Sequence, residues 1–378
     1  LGSRLTYKEK DSMKRISMFG VLLLLLAACS SASAQNSTAP VNTASDSSNA
    51  GAQTYTVLVG AHDSTANADL EAYLPADVTV HVGDTVTWKL NSKEIHTVTF
   101  LGSEKTPDLL VPVPNSPQGA MMFNPQVAFP VAPKDGQFDG STYANSGIMG
   151  PDQGQYTDFS LTFNKAGTYS YLCVVHGEEK MVGKITVVDA SAQIPSPAEV
   201  QAQGQKELQA LVAQVPAIQQ AAEAEVKSPQ KNSDGTTTYY VEVGYSQGQV
   251  DLESFFPNTL NVQPGDTIVW TFSQQDIAPH TITFLNGAEE PALVIPKPQQ
   301  SGPPLLTLNP EVAAPQNAGK PLTTTGIYSS GIIDPSAPGP HSYTLKIGDV
   351  SGTIPYICML HEENGMKGSI TVSAASSK

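Results

Sequence analysis

The chain has 378 residues, enough for two domains with ordinary cores, yet only 15% of them are charged, and it carries 30 Gly and 29 Pro. That composition, with little helical apolar periodicity, favours a strand-rich and loop-rich protein. A formal net charge of −15 argues against nucleic acid or an anionic membrane surface as partner, since either needs a basic patch. P-loop, GxGxxG and GxSxG patterns are absent from the sequence.

Residues 1–29 read as an export signal. Lys14 and Arg15 give a positive start, and the apolar run FGVLLLLLAA that follows is too short to span a bilayer. Residues 1–12 read as lying upstream of a true start at Met13 or as foreign sequence. The signal ends in Leu26-Ala27-Ala28-Cys29, which resembles the lipobox of bacterial lipoproteins. The resemblance implies cleavage before Cys29 and a lipid on Cys29. Residues 30–53 are small and polar, with too little apolar surface to fold, and form a tether reaching roughly 25–30 Å. The expected location is the outer face of a bacterial membrane, on the periplasmic or extracellular side, held by the lipid alone.

From residue 54 the pattern changes to short runs of alternating apolar and polar residues: TYTVLVG, DVTVHV, TVTWKL, HTVTFL, FSLTF, TYSYLCV and KITVV. Turn residues separate them, so residues 54–192 are expected to form an antiparallel β-sandwich. Residues 193–233 hold the one convincing helix. Ser196-Pro197-Ala198-Glu199 has the form of a capping box with Pro at the first helical position, and Leu208, Leu211, Val212 and Val215 mark an apolar face. Pro216 is expected to kink or split it. Residues 234–375 then repeat the first domain. Gly83-Asp84-Thr85-Val86-Thr87-Trp88 returns as Gly265-Asp266-Thr267-Ile268-Val269-Trp270, so the two Trp of the chain are equivalent. His96-Thr97-Val98-Thr99-Phe100 returns as His280-Thr281-Ile282-Thr283-Phe284, and YLCVVHGEEKM as YICMLHEENGM. This is a tandem duplication of one domain, its period far too long for a solenoid.

The last pair of stretches carries the chemistry. Each sets Cys, His and Met at a C-x2-H-x4-M spacing, Cys173, His176, Met181 and Cys358, His361, Met366, with His96 or His280 upstream. A disulfide between Cys173 and Cys358 is open in an oxidising compartment, but it would not require a His and a Met in matching frames. A thiolate, two imidazoles and a thioether suit copper, in the His2Cys arrangement with a weak axial Met used for electron transfer.

These motifs, with the following Met-x-Gly-x-Ile-Thr-Val strand, resemble the cupredoxins of the plastocyanin and pseudoazurin type. The resemblance covers residues 54–190 and 236–373 and implies an all-β chain of two Greek-key cupredoxin β-sandwich domains joined by a short helical linker. It implies two copper ions per chain, one on His96, Cys173, His176 and Met181 and one on His280, Cys358, His361 and Met366. Two departures stand out. The stretch between first His and Cys is long and rich in Pro and Gly, and Thr97 and Thr281 replace the Asn that follows the first His in plastocyanin.

The expected function is one-electron transfer between redox partner proteins, without catalysis. Storage, delivery or sensing of copper is the alternative. A copper oxidase or nitrite reductase is disfavoured, since these carry a His just before the Cys, where Leu172 and Ile357 stand here. The acidic surface is expected to favour a basic partner, with electrons passing through the exposed edge of His176 or His361. Glu178, Glu179, Glu362 and Glu363 beside those histidines are docking candidates or ordinary solvated charges. His62, His81 and His341 read as lone surface or strand residues, and Met121-Met122 as packing.

Overall fold

The computed structural model describes residues 51–373 apart from 115, 117–118, 152–155, 178–179, 274, 277 and 340. The export signal with Cys29, the tether up to residue 50, and Glu178 and Glu179 lie outside the described residues. Among those described, no helix is long and apolar enough to cross a membrane.

Alternation in the sequence becomes alternation of burial. Thr54–Asp63 buries Tyr55, Val57 and Val59, and Thr85–Leu90 buries Val86 and Trp88. With Asp158–Phe163 they form one layer, whose strand Thr54–Asp63 pairs with Thr85–Leu90. The facing layer holds Asp77–His81, Val182–Val188, Gly167–Leu172 and Thr99–Phe100. Trp88 lies between the layers, edge-on to Phe100 and Tyr171. The second half repeats this, with Trp270 against Phe284 and Tyr356. The sandwich is not purely antiparallel as expected: Thr54–Asp63 runs parallel to Thr85–Leu90, and Asp77–His81 parallel to Val182–Val188. The chain crosses between layers on its way from one strand to its partner, so the two can align in the same sense.

The halves are not beads on a linker. Residues 51–373 belong to one compact unit. Strand Ala68–Leu74 pairs antiparallel with Val250–Phe256, fusing one layer from each half into a ten-stranded sheet. ADLE at Ala68–Glu71 is the counterpart of VDLE at Val250–Glu253, and Asp69 sits opposite Asp251. Each half therefore meets the equivalent edge of the other, as in a two-fold dimer. The long Pro- and Gly-rich loops do the same. Leu110–Pro112 and Met121–Phe123 of the first half join Val294–Lys297 and Leu305–Leu308 of the second in a four-stranded sheet through Thr307 and Met122. Met122 is buried and serves packing, while Met121 is half-buried.

The helical segment packs against the fused sheet. Ser196 caps Pro197–Val212 with the expected capping box, and the helix ends before a second one, Val215–Glu225, which has Pro216 in its first turn. Val215, Ile218 and Ala222 pack with Leu70, Leu74, Val250, Leu252 and Phe256 from both halves. Burying each large apolar side chain there contributes about 1.5–3 kcal/mol. A Cβ on Gly204 would come within 2.7 Å of the Leu74 backbone, so glycine lets the first helix sit close to the sheet.

Candidate metal centres

His96 follows the layer strand Thr85–Leu90, and its backbone is fixed by a two-way bridge to Met149. Cys173 ends strand Gly167–Leu172, and the loop to Val182 brings back His176 and Met181. The loop is closed by its own backbone: Cys173 N–H donates to the Met181 carbonyl at 3.0 Å, and Gly177 N–H to the Cys173 carbonyl at 3.0 Å. The second half does the same, with Cys358 N–H donating to the Met366 carbonyl at 3.1 Å. Cys173, Met181, Cys358 and Met366 are all fully buried within the two cores.

The structure brings the three strong donors of each set to one point. In the first, Cys173 Sγ is 4.0 Å from His96 Nδ1 and 3.4 Å from His176 Nδ1, and the two nitrogens are 3.2 Å apart. In the second, Cys358 Sγ is 3.8 Å from His280 Nδ1 and 3.6 Å from His361 Nδ1, with 2.9 Å between the nitrogens. Three such ligands about one ion, with metal–nitrogen bonds near 2.0–2.1 Å and a metal–sulfur bond near 2.3 Å, would stand roughly 3.5–3.8 Å apart. The sulfur–nitrogen distances bracket this range and the nitrogen pairs lie closer, so the donor types fit a His2Cys ion, and both cysteines are free thiols instead of a disulfide.

Thr97 and Thr281 take on the work left open by the missing Asn. Thr97 N–H donates to Cys173 Sγ at 3.3 Å, and its hydroxyl accepts from Val174 N–H at 2.9 Å. Thr281 repeats both bonds, at 3.4 Å to Cys358 Sγ and 2.7 Å from Met359 N–H. Each threonine thus holds its sulfur and ties the ligand loop to the upstream strand. Gly60 and Gly244 make room behind the upstream histidines: both have left-handed φ, +67° and +65°, and a Cβ would fall 2.5 and 2.4 Å from His96 and His280 Nε2.

The loop histidines do not present an exposed edge. His361 is 6% exposed, with Nε2 3.7 Å from Glu253 and 3.9 Å from Glu94 of the other half. His176 Nε2 lies 3.2 Å from buried Glu71, and its side chain is 11% exposed. The expected docking route through these rings is therefore corrected: the strand pairing at the seam covers the loop faces that a lone domain would show. Glu362 is half-buried and paired with Lys367 at 2.6 Å, and Glu363 is exposed.

The seam is a buried polar layer that sequence reading missed. Asp69, Glu71, Asp251 and Glu253 are each 1–2% exposed. Burial and the neighbouring Asp251 push Glu71 well above the usual carboxylate range, and burial with Glu94 and Asp69 does the same to Glu253. His62, read as a lone residue, has its side chain 5% exposed and its Nδ1 2.8 Å from Asp69. His81, half-buried at a strand end, and His341, exposed, lie 2.9 Å from the Ala192 and Ala337 carbonyls, as surface or strand residues do.

The two thiols differ. Burial pushes Cys173 up to about 11, while His96 is held well below the ordinary imidazole range by burial and by His176. Burial and Lys180 bring His176 down to about 3. In the second set burial opposes ionisation, but it is outweighed. His361 and the hydrogen bonds from both histidines bring Cys358 well below the usual thiol range, and Asp276 raises His280 well above the imidazole range.

Residues 59–188 match the family model for copper binding proteins of the plastocyanin/azurin family. Among solved structures, an amicyanin variant in the Cu(I) state is 18% identical over 40% of this chain and 90% of its own, with a TM-score of 0.21. The oxidised plastocyanin of Dryopteris crassirhizoma is 22% identical over 35% of this chain and 99% of its own, TM-score 0.20. A pseudoazurin from Sinorhizobium meliltoi is 18% identical over 40% and 91%, TM-score 0.20.

Proposed function

We propose, from the match of residues 59–188 to the copper binding proteins of the plastocyanin/azurin family, that the chain is a two-copper, one-electron carrier, with residues 54–192 and 234–375 each holding one ion. The observation that carries this reading is the pair of buried His2Cys clusters, each closed by a loop whose Met lies in the same core. Bound there, copper would supply a one-electron couple. The protein supplies a fixed, dry donor set that changes little between oxidation states, with Thr97 and Thr281 holding the sulfurs. A donor set this enclosed suits reversible electron exchange better than storage or delivery, and better than substrate turnover. The carrier is tethered through Cys29 to the outer face of a bacterial membrane and exchanges electrons with basic redox proteins. Glu363, exposed beside the second loop, remains a docking candidate.

Copper-loaded protein is expected to contain two ions per chain and to show the intense thiolate-to-copper absorption. Cys173→Ser and Cys358→Ser should each remove one ion and about half the band, and the double variant all of it. A single variant that removes both ions, or a wild-type count of one, contradicts the two-site reading. Copper that leaves readily to a chelator while resisting one-electron reduction would instead favour delivery.

A further inference from the structure

The two edges of the seam are equivalent in sequence and unequal in charge. At one edge Lys180 Nζ lies 2.6 Å from Glu71 and 3.2 Å from Asp251, a single ammonium between two buried carboxylates. At the other edge Asp69 and Glu253 are joined by a third carboxylate, Glu94, and the counterpart of Lys180 is Gly365. Among the described residues, the ion-pair partners of Asp69, Glu94 and Glu253 are the histidines His62 and His361, with no Lys or Arg. Asn364 serves all three acids: its amide nitrogen donates to Glu253 at 2.7 Å, to Asp69 at 3.5 Å and to Glu94. That nitrogen has two hydrogens for three carboxylates. Buried carboxylates without a matched cation are strongly disfavoured.

His62 adds a nitrogen donor to this edge. Its Nδ1 is 2.8 Å from Asp69 Oδ2, its side chain is 5% exposed, and its other ring nitrogen is buried without a hydrogen-bond partner. The donor atoms of His62, Asp69 and Glu253 all lie within 4.8 Å of one another. We propose that His62, Asp69 and Glu253 hold a divalent metal ion at the seam, supplying at this edge the positive charge that Lys180 supplies at the other. One imidazole with two carboxylates, and no sulfur, is a donor set for zinc, whose sites take His nitrogen and carboxylate oxygen together. Magnesium and calcium prefer oxygen alone and in larger number. Glu94 stands beside the site as a further oxygen donor. The site shares no ligand with either His2Cys set, although Glu253 also lies 3.7 Å from His361 Nε2.

The test is to load the full chain with copper, equilibrate it with buffered micromolar free Zn(II), desalt it, and count both metals by atomic emission. One zinc per chain is expected in addition to the copper. His62→Ala should weaken zinc binding about 100-fold or more while the copper count and thiolate absorption stay as in wild type. Asp69→Asn should weaken zinc comparably while keeping the shape of the side chain. Zinc should also raise the thermal midpoint of the copper-loaded wild type and leave that of His62→Ala where it was. The proposal fails if copper-loaded wild type retains no zinc, if His62→Ala retains as much as wild type, or if each zinc gained displaces one copper.

Discussion

Behind His280 stands Asp276, 3.0 Å from its Nε2 and 2% exposed; at the same place behind His96 stands Ser92, whose hydroxyl turns away to donate to Asp69 at 2.7 Å. The donors of the two sets are otherwise the same residues in the same order. Asp276 raises His280 well above the imidazole range, while His96, without such a partner, is held well below it by burial and His176. Asp276 belongs to a line of buried groups, since the Ser246 hydroxyl donates to Asp251 at 2.7 Å and lies 3.2 Å from Asp276, and Asp251 meets Lys180 from the first half. Duplication thus copied the ligands while the groups behind them diverged, and the divergence is concentrated along the seam.

The largest expected effect comes from taking away the one ammonium there. Lys180→Met leaves Glu71 and Asp251 facing each other without a cation and should destabilise the chain by about 3–5 kcal/mol. Asn364→Ala, at the neighbouring position of the other edge, removes hydrogen bonds without removing a charge and should cost about 1–3 kcal/mol. Urea unfolding of both variants checks the ranking, and a reversed order would show that the two edges do not differ in the way their charges suggest.

The ligand sets were legible because their spacing is local. C-x2-H-x4-M lies within one loop, and the upstream His was marked by a closely matching neighbourhood in both halves. The sandwiches were legible through the alternation around Trp88 and Trp270. The seam was not. ADLEAYL at Ala68–Leu74 puts Asp69 and Glu71 on one face, a pattern that reads as a solvent-facing strand, yet all seven residues are buried. Its partner is the copy of itself some 180 positions on, and a pairing between equivalent strands leaves no mark in either strand alone. The same holds for the long loops, whose mutual sheet depends on chain that each half lacks by itself.

A smaller effect should follow from Asp276 itself. A carboxylate 3.0 Å from His280 Nε2 makes the ring a stronger donor and favours the more highly charged, oxidised ion. Asp276→Ser should raise the reduction potential of the second site by about 60–130 mV, taking the contact with a charged group as about 1.5–3 kcal/mol for one electron. Ser92→Asp should lower that of the first. Spectroelectrochemistry in the Cys173→Ser and Cys358→Ser backgrounds reads each site alone. Equal potentials in the two backgrounds, unmoved by either change, would remove the tuning role of this position.

The smallest expected effect tests whether the halves also differ away from the ligands. Leu58 of the first half and Glu242 of the second occupy equivalent places in paired strands, opposite Lys89 and Thr271. Leu58 packs into the apolar cluster under the helices, while Glu242 is buried and accepts from the Thr271 hydroxyl at 3.1 Å. Burial pushes its carboxyl up to about 7; the charges of Glu225 and Asp276 add to this, and Lys227 and the Thr271 bond oppose it. The sign follows from proton uptake. Between its ordinary pKa of 4.5 and about 7 the folded chain keeps a proton that the unfolded chain has lost, so stability is full below that window and falls as pH rises through it. Glu242→Leu removes this loss and restores the residue type of the first half. Its thermal midpoint should exceed that of wild type at pH 8 by on the order of 2–4 °C, with the margin shrinking toward pH 5. A margin that stays the same at both pH values would mean that Leu acts by packing alone, and that the buried acid does not set the pH dependence of the second half.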